Sequence, residues 1–344
     1  MAKHNWVISI LVAICLFGLT GCAEQTAKEK AAKAAEHHQK IESEKKLQEE
    51  KKLEEEKKRE EARKREEARP VNVNIIDPNT KDIVKTFNTK ELGYITNPGN
   101  YQGEIAKITR ELARGTETTP GYDKRMILDK LDKNGQVIKG TPQTILDEEE
   151  LAEKIIQVSA KGGDVELPLY VTPSGYKLEE ADNLDEVVVA SFTTHFNSGV
   201  VGRTKNIELS AQAINNVILG TNDHFSFNTT VGPSDQEHGY QKAPEINYGK
   251  LVEGIGGGIC QTSSTLYNAI DKLAVQNIEK HHHSLAVGYV PKGRDATVSY
   301  GGKDFRYQNT TGVPLLIKAI VGKGALTVEI RTAKEYQSQI KKKI

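Results

Sequence analysis

The chain has 344 residues, and its 47 lysines and arginines balance 47 aspartates and glutamates, so the net charge is zero with histidines neutral. No global field draws in nucleic acid or an acidic polymer, so nucleic acid is not an expected partner and binding must be local. Hydrophobic residues make up 37%, below the usual globular share, but the deficit is concentrated in one charged stretch and the rest can fold.

At the N-terminus, Lys3 and His4 precede an apolar run from Trp6 to Leu19. It is too short to span a bilayer comfortably and fits the hydrophobic region of a signal peptide. It closes with Leu19-Thr20-Gly21-Cys22, which resembles a bacterial lipobox. The expectation is a signal peptide over residues 1–21, cleavage before Cys22, and lipidation of Cys22 as the membrane anchor on the extracytoplasmic face. Cys15 leaves with the signal peptide. Of three cysteines, Cys260 alone then remains as a free thiol, in a compartment that favours disulfides.

From about Ala27 to Arg69 the chain is almost wholly Glu, Lys, Arg, Ala and Gln, with no Gly or Pro before Pro70. Opposite charges recur one helical turn apart, which suits an extended helix; a solvated disordered linker suits the composition equally. Ile41, Leu47 and Leu53 are six apart and make no coiled-coil seam. Residues 22–69 therefore read as a spacer, roughly 60 Å long if helical.

Residues 70–182 read as a small α+β domain without cysteine. Val71 to Ile76 alternates as a strand, and Gln102 to Arg114 places Ile105, Ile108 and Leu112 on one helical face. Asn134-Gly135 signals a hairpin, Asp147 caps a helix from Glu148 to Ala160 with Leu151, Ile155 and Val158 inward, and Val165 to Val171 reads as a strand. Nothing in it suggests catalysis.

A second α+β domain is expected over 183–334, followed by a charged tail, 335–344. Val187 to Phe196 predicts a strand, and Asn206 is a candidate cap for a helix with Ile207, Ala211, Ile214 and Ile218 on one face. Phe225-Ser226-Phe227-Asn228 to Tyr240 reads as a loop with packed aromatic anchors. A helix runs from Cys260 to about Gln276, burying Leu266, Ile270 and Leu273. Strands at 284–290, 295–300, 304–308, 314–321 and 325–331, divided by glycine turns, predict an antiparallel meander. The fold class is thus α+β: two α+β domains after a charged spacer, the C-terminal one with a helix packed on an antiparallel sheet.

Phe225-Ser226-Phe227-Asn228, Val231-Gly232-Pro233, Gly239-Tyr240, Ala243-Pro244, Gly256-Gly257-Gly258-Ile259-Cys260-Gln261, His283-Ser284 and Gly293-Arg294-Asp295-Ala296-Thr297-Val298 occur in that order. Together they resemble the VanW family of bacterial envelope proteins, over about Val187 to Arg331. The region around Glu166-Leu167-Pro168-Leu169 resembles the peptidoglycan-binding domain that often precedes it. One departure is Glu279-Lys280-His281-His282-His283, where an arginine is more usual before the His-Ser pair. The resemblance implies a place at the cell wall and identifies no reaction.

The residues themselves point to thiol chemistry. A cysteine at a helix N-terminus feels the positive end of the macrodipole, which favours thiolate. Cys260 on a helix followed by His283 has the order of elements of papain-like amidases, by analogy of arrangement alone. Cys260 is the candidate nucleophile, His283 the base, and Asp295, ahead of Asp304, the group that orients the imidazole. Gly257 and Gly258 would let substrate backbone approach, an amide of Cys260 or Gln261 would contact an oxyanion, and Arg294, Arg203 or Lys242 would hold a carboxylate. Substrate-binding residues are thus expected at Gly257, Gly258, Gln261 and Arg294. The opposing reading makes Cys260 a buried filler and the glycines a packing device. His281 and His282 are expected in solvent, since neighbours on a strand face opposite sides. No cofactor is called for, and the triple histidine lacks the spaced ligand set of a metal site. Three functions are consistent: a cysteine amidase, peptidase or acyltransferase acting on peptidoglycan stem peptides; a non-catalytic peptidoglycan-binding module; or an envelope scaffold.

Overall fold

The computed structural model describes residues 25–247 and 249–343. The expected signal peptide, Cys15 and the lipidation site Cys22 lie outside the described residues. The chain divides into two compact units, 1–70 and 71–344.

In the first unit, helix α1 runs over Gln25–Ala68. Lys46 with Glu42 at 3.4 Å and Lys58 with Glu54 at 2.7 Å supply contacts one turn apart. Ile41, Leu47 and Leu53 are all exposed, as expected for a helix without an apolar seam. Among the described residues no helix is long and apolar enough to cross a membrane.

The second unit is mixed α+β. Its first part holds strand Asn72–Ile76 between Ile83–Asn88, antiparallel, and Gly163–Glu166, parallel. Helices α2, Pro98–Arg114, and α3, Glu148–Val158, bury Ile105, Ile108, Leu151 and Ile155 against it, with Leu112 and Val158 at the edge. Asp147 caps α3 by accepting from the Glu150 N–H at 2.9 Å, as its sequence position predicts. The strand expected over 165–171 is broken. Pro168 has no N–H to donate, and the chain passes from Gly163–Glu166 to a separate strand, Leu169–Thr172, paired with Gln143–Leu146.

The Asn134-Gly135 turn joins short strands Lys130–Leu131 and Val137–Ile138, with Gly135 at φ 82°. This hairpin forms the edge of a wholly antiparallel six-stranded sheet, continuing through Val217–Leu219, Leu315–Gly322, Ala325–Thr332 and Val187–His195. The boundary expected at 182 is therefore bridged by a strand from the earlier region. Helix α4, Val201–Ile214, packs on Leu315–Gly322, and the later helix α6, Ile259–Ile270, packs on the two strands at the far edge.

Asn206 is no cap. It lies within α4 and is fully buried, while Ile218 belongs to a strand, so only Ile207, Ala211 and Ile214 share the helix face with the core. Phe225 and Phe227 are core residues, as expected, but their segment is regular: strand His224–Ser226 followed by helix α5, Phe227–Val231. Phe225 stacks on Tyr307 at 4.9 Å, and Tyr267 meets Phe305 edge-on at 5.6 Å. Each such ring contributes about 1.5–3 kcal/mol by leaving water.

The meander is only partly formed. Arg306–Gln308, Leu315–Gly322 and Ala325–Thr332 are strands, whereas 284–290 and 295–300 are not. Residues 294–298 form no regular element, and their backbone groups bond to side chains of α6. Ser264 Oγ accepts from the Ala296 N–H at 2.9 Å, Ser263 donates to Ala296 O, and Asn268 donates to Arg294 O at 2.7 Å. An apolar alternation that looked like strand pairing is satisfied by a polar helix face. The expected tail is also tied down: Lys343 meets Asp271 at 2.7 Å, the Ala274 N–H donates to Lys341 O at 2.9 Å, and Ile340 is buried.

Candidate functional site

A glycine turn delivers the chain into α6, which begins at Ile259, not at Cys260, and ends at Ile270, short of the expected Gln276. Leu266, Ile270 and Leu273 are buried as predicted. Gly258 has φ +116°, a left-handed conformation that strains any residue with a Cβ. At Gly257 the constraint is space, because a Cβ would lie 2.4 Å from the Ala243 carbonyl oxygen. Asn206 pins the turn by donating to Gly257 O at 3.0 Å and Gln241 O at 2.8 Å while accepting from the Gln241 N–H at 2.7 Å. The glycines expected to admit substrate are needed first for packing.

Cys260 follows on the first turn of α6, half-buried, with its thiol donating to Val298 O at 3.4 Å. Burial pushes the thiol pKa up, the carboxylates of Glu245 and Asp295 push the same way, and the Arg203 charge opposes them. Burial thus opposes the lowering expected from the helix terminus.

His283 stands in an irregular segment and not at a strand start. Its ring Nδ1 is 2.8 Å from Asp295 Oδ2, and its backbone N–H donates to the same oxygen at 2.7 Å. Burial would raise the Asp295 pKa, but the His283 N–H and the two histidine rings outweigh it and hold the carboxyl at about 2. An ionised carboxylate only accepts, so His283 carries its proton on Nδ1 and its Nε2 lone pair is available as a base.

His282 is exposed, as expected, and its ring still meets the same carboxylate, Nδ1 to Asp295 Oδ1 at 2.9 Å, while its Nε2 meets Lys280 Nζ at 2.9 Å. His281 pairs with Glu279 at 2.9 Å. Asp304, the other candidate orienter, is committed elsewhere, to Ser226 Oγ at 2.6 Å, the Asn228 N–H at 2.9 Å and Arg125 at 3.1 Å. Among the described residues no group of three or more His, Cys, Asp or Glu is placed to hold a metal ion.

Two expected substrate contacts are occupied. Gln261 is buried, donates Nε2 to Thr194 Oγ1 at 3.0 Å and His195 O at 3.1 Å, and accepts from Arg203 at 2.8 Å. Its backbone N–H bonds Gly258 O at 3.0 Å, leaving the Cys260 amide as the oxyanion donor of that pair. Arg294 turns away onto Asp271 at 2.7 Å and Asn268 at 2.8 Å.

Cys260 and His283 line one open cleft of about 900 Å³, together with Arg203, Glu245, Tyr289 and Thr297. Arg203 lies 5.9 Å from the Tyr289 ring. Burial raises the pKa of both Tyr289 and Glu245. Glu245 and Tyr289 escaped the sequence reading because neither stands in a periodic pattern or beside another titratable group.

Residues 202–331 match the model of the family described as VanW like protein. Residues 202–331 thus form a VanW like domain. The VanW domain contains every cleft residue named above, from Arg203 to Thr297. Over 154 residues the chain is 45% identical to the "Uncharacterized protein YoaR" of Bacillus subtilis (strain 168), covering 45% of this chain and 51% of the relative. Over 111 residues it is 30% identical to the "Vancomycin B-type resistance protein VanW" of Enterococcus faecalis (strain ATCC 700802 / V583), covering 31% of this chain and 40% of the relative. The chain thus spans about half or less of the length of these relatives. No solved structure matches the chain.

Proposed function

We propose that the chain is a wall-facing envelope protein whose VanW domain cleaves or transfers acyl groups at amide bonds of peptidoglycan stem peptides. Cys260 is the nucleophile, His283 the base and Asp295 its positioning residue. The observation that carries this reading is that Cys260 and His283 share one cleft while Asp295 holds His283 Nδ1 at 2.8 Å, freeing Nε2. Sulfur adds to the amide carbonyl as Nε2 takes the thiol proton. The C–N bond then breaks, the proton passes to the leaving amine, and a thioester remains for water or another amine to resolve. The Cys260 N–H, in the first helical turn, meets the developing oxyanion.

Residues 70–182 serve in this reading as the wall-binding region. Lipidated Cys22 anchors the chain outside the cytoplasmic membrane, and α1, with 44 residues, holds the second unit off the surface. Its reach is about 65 Å at 1.5 Å per residue.

A second reading, a non-catalytic peptidoglycan-binding module, is favoured by the raised thiol pKa and the Cys260 contact to Val298 O. Incubating the chain with muropeptides or sacculi, beside Cys260→Ser and His283→Ala, separates the two. Release of product by the wild type alone supports catalysis. Binding without turnover in all three supports the module.

A further inference from the structure

The VanW domain contains four arginines, at 203, 294, 306 and 331. Three of them face a carboxylate: Arg294 meets Asp271 at 2.7 Å, Arg306 meets Glu279 at 3.6 Å, and Arg331 meets Asp185 at 2.9 Å. Arg203, which lines the cleft, has no ion pair among the described residues. Its hydrogen bond there is the one to Gln261 Oε1 at 2.8 Å, although a guanidinium offers five N–H donors. Removing such a charge from water without an anion is costly.

The group is also held in place. Because Gln261 Nε2 is fixed by Thr194 and His195, its Oε1 must face Arg203. The Arg203 stem lies against the glycine turn, where a Cβ on Gly258 would come within 3.1 Å of its Cγ. Glu245, the carboxyl in the same cleft, does not neutralise it: burial pushes the Glu245 pKa up, the opposite of what a guanidinium partner would do.

We propose that Arg203 binds the C-terminal carboxylate of the peptide, so that the bond presented to Cys260 is the last one and the leaving group is the terminal amino acid. This rests on the acyl-transfer reading of the cleft. Arg203 and Cys260 line the same cleft, and Gly258, against which the Arg203 stem packs, stands two residues before Cys260, so a carboxylate on Arg203 lies on the Cys260 side of the cleft. The leaving amine takes the proton that His283 received from Cys260, and the rest of the peptide stays on sulfur.

The test is calorimetric titration of the full chain carrying Cys260→Ala with a muramyl pentapeptide, free acid against C-terminal carboxamide. The free acid is expected to bind at least about tenfold more tightly, with the preference lost in Arg203→Gln and partly kept in Arg203→Lys. A third peptide, blocked only on its glutamate side of the stem, distinguishes the two carboxylate sources and is expected to bind like the free acid. Equal affinity for acid and carboxamide, binding of neither, or weakening by the side-chain block alone would overturn the assignment. Acid preference without turnover in the wild type would keep the carboxylate site and remove the chemistry. Turnover without that preference would keep the chemistry and remove the site.

Discussion

Asp295 accepts from His283 twice through one oxygen, from the ring at 2.8 Å and from the backbone at 2.7 Å, and gives its other oxygen to His282 at 2.9 Å. One carboxylate therefore sets the tautomer of His283 and the path of the chain around it. Asp295→Asn keeps the shape but removes the charge and offers an N–H where an acceptor is needed. Turnover is expected to fall on the order of 10²–10⁴-fold, with a displaced pH–rate profile as well as a lower maximum. An unchanged profile would reduce Asp295 to a structural part.

The same carboxylate predicts an acid limit. Its folded pKa, about 2, lies below the ordinary 3.8, so the stabilisation is present above the ordinary value and is lost as pH falls through the folded one. Between pH 4 and 2 the wild type should lose stability more steeply than Asp295→Asn, as read by denaturant midpoints.

Cys260 should behave as a guarded thiol. With its pKa raised by burial, alkylation at neutral pH is expected to be slower than that of a small free thiol, rising only in alkali. Fast labelling at neutral pH would show a preformed thiolate and replace the concerted transfer to His283 with an ion pair.

Asn206 is the strut under the glycine turn, with three hydrogen bonds to the chain at 241 and 257 and no exposure. Asn206→Ala leaves the Gly257 carbonyl and the Gln241 N–H without their partner and should cost roughly 2–4 kcal/mol, measured by chemical unfolding. A loss below half of that would mean that the turn holds without it.

Tyr307 points the other way. Its hydroxyl is buried without a partner among the described residues, so Tyr307→Phe should leave stability unchanged or raise it by up to about 1–2 kcal/mol in the same assay. A clear loss would reveal a hidden partner for the hydroxyl.

Much of the helical framework was legible because its residues obey a period. The spacing of Ile105, Leu151, Ile207 and Leu266 points them inward, and all are buried. Asp295 was legible as a partner for His283 from its place in the chain. What escaped depends on contacts that no period records. Residues 294–298 alternate like a strand, yet Ser263, Ser264 and Asn268 of α6 take the hydrogen bonds a neighbouring strand would have taken. Arg294 and Arg203 look alike as exposed bases in a sequence. Only the fold sets Asp271 beside the first and leaves the second facing the cleft.

The most direct test of the central claim is intact-mass analysis of the full chain after brief incubation with a stem peptide, quenched in acid, beside Cys260→Ser and His283→Ala. The account predicts an acyl adduct on the wild type that maps to Cys260, is released by hydroxylamine, and is absent from both variants. A wild-type chain that turns peptide over with no adduct at Cys260, or an adduct of equal yield in His283→Ala, would contradict it.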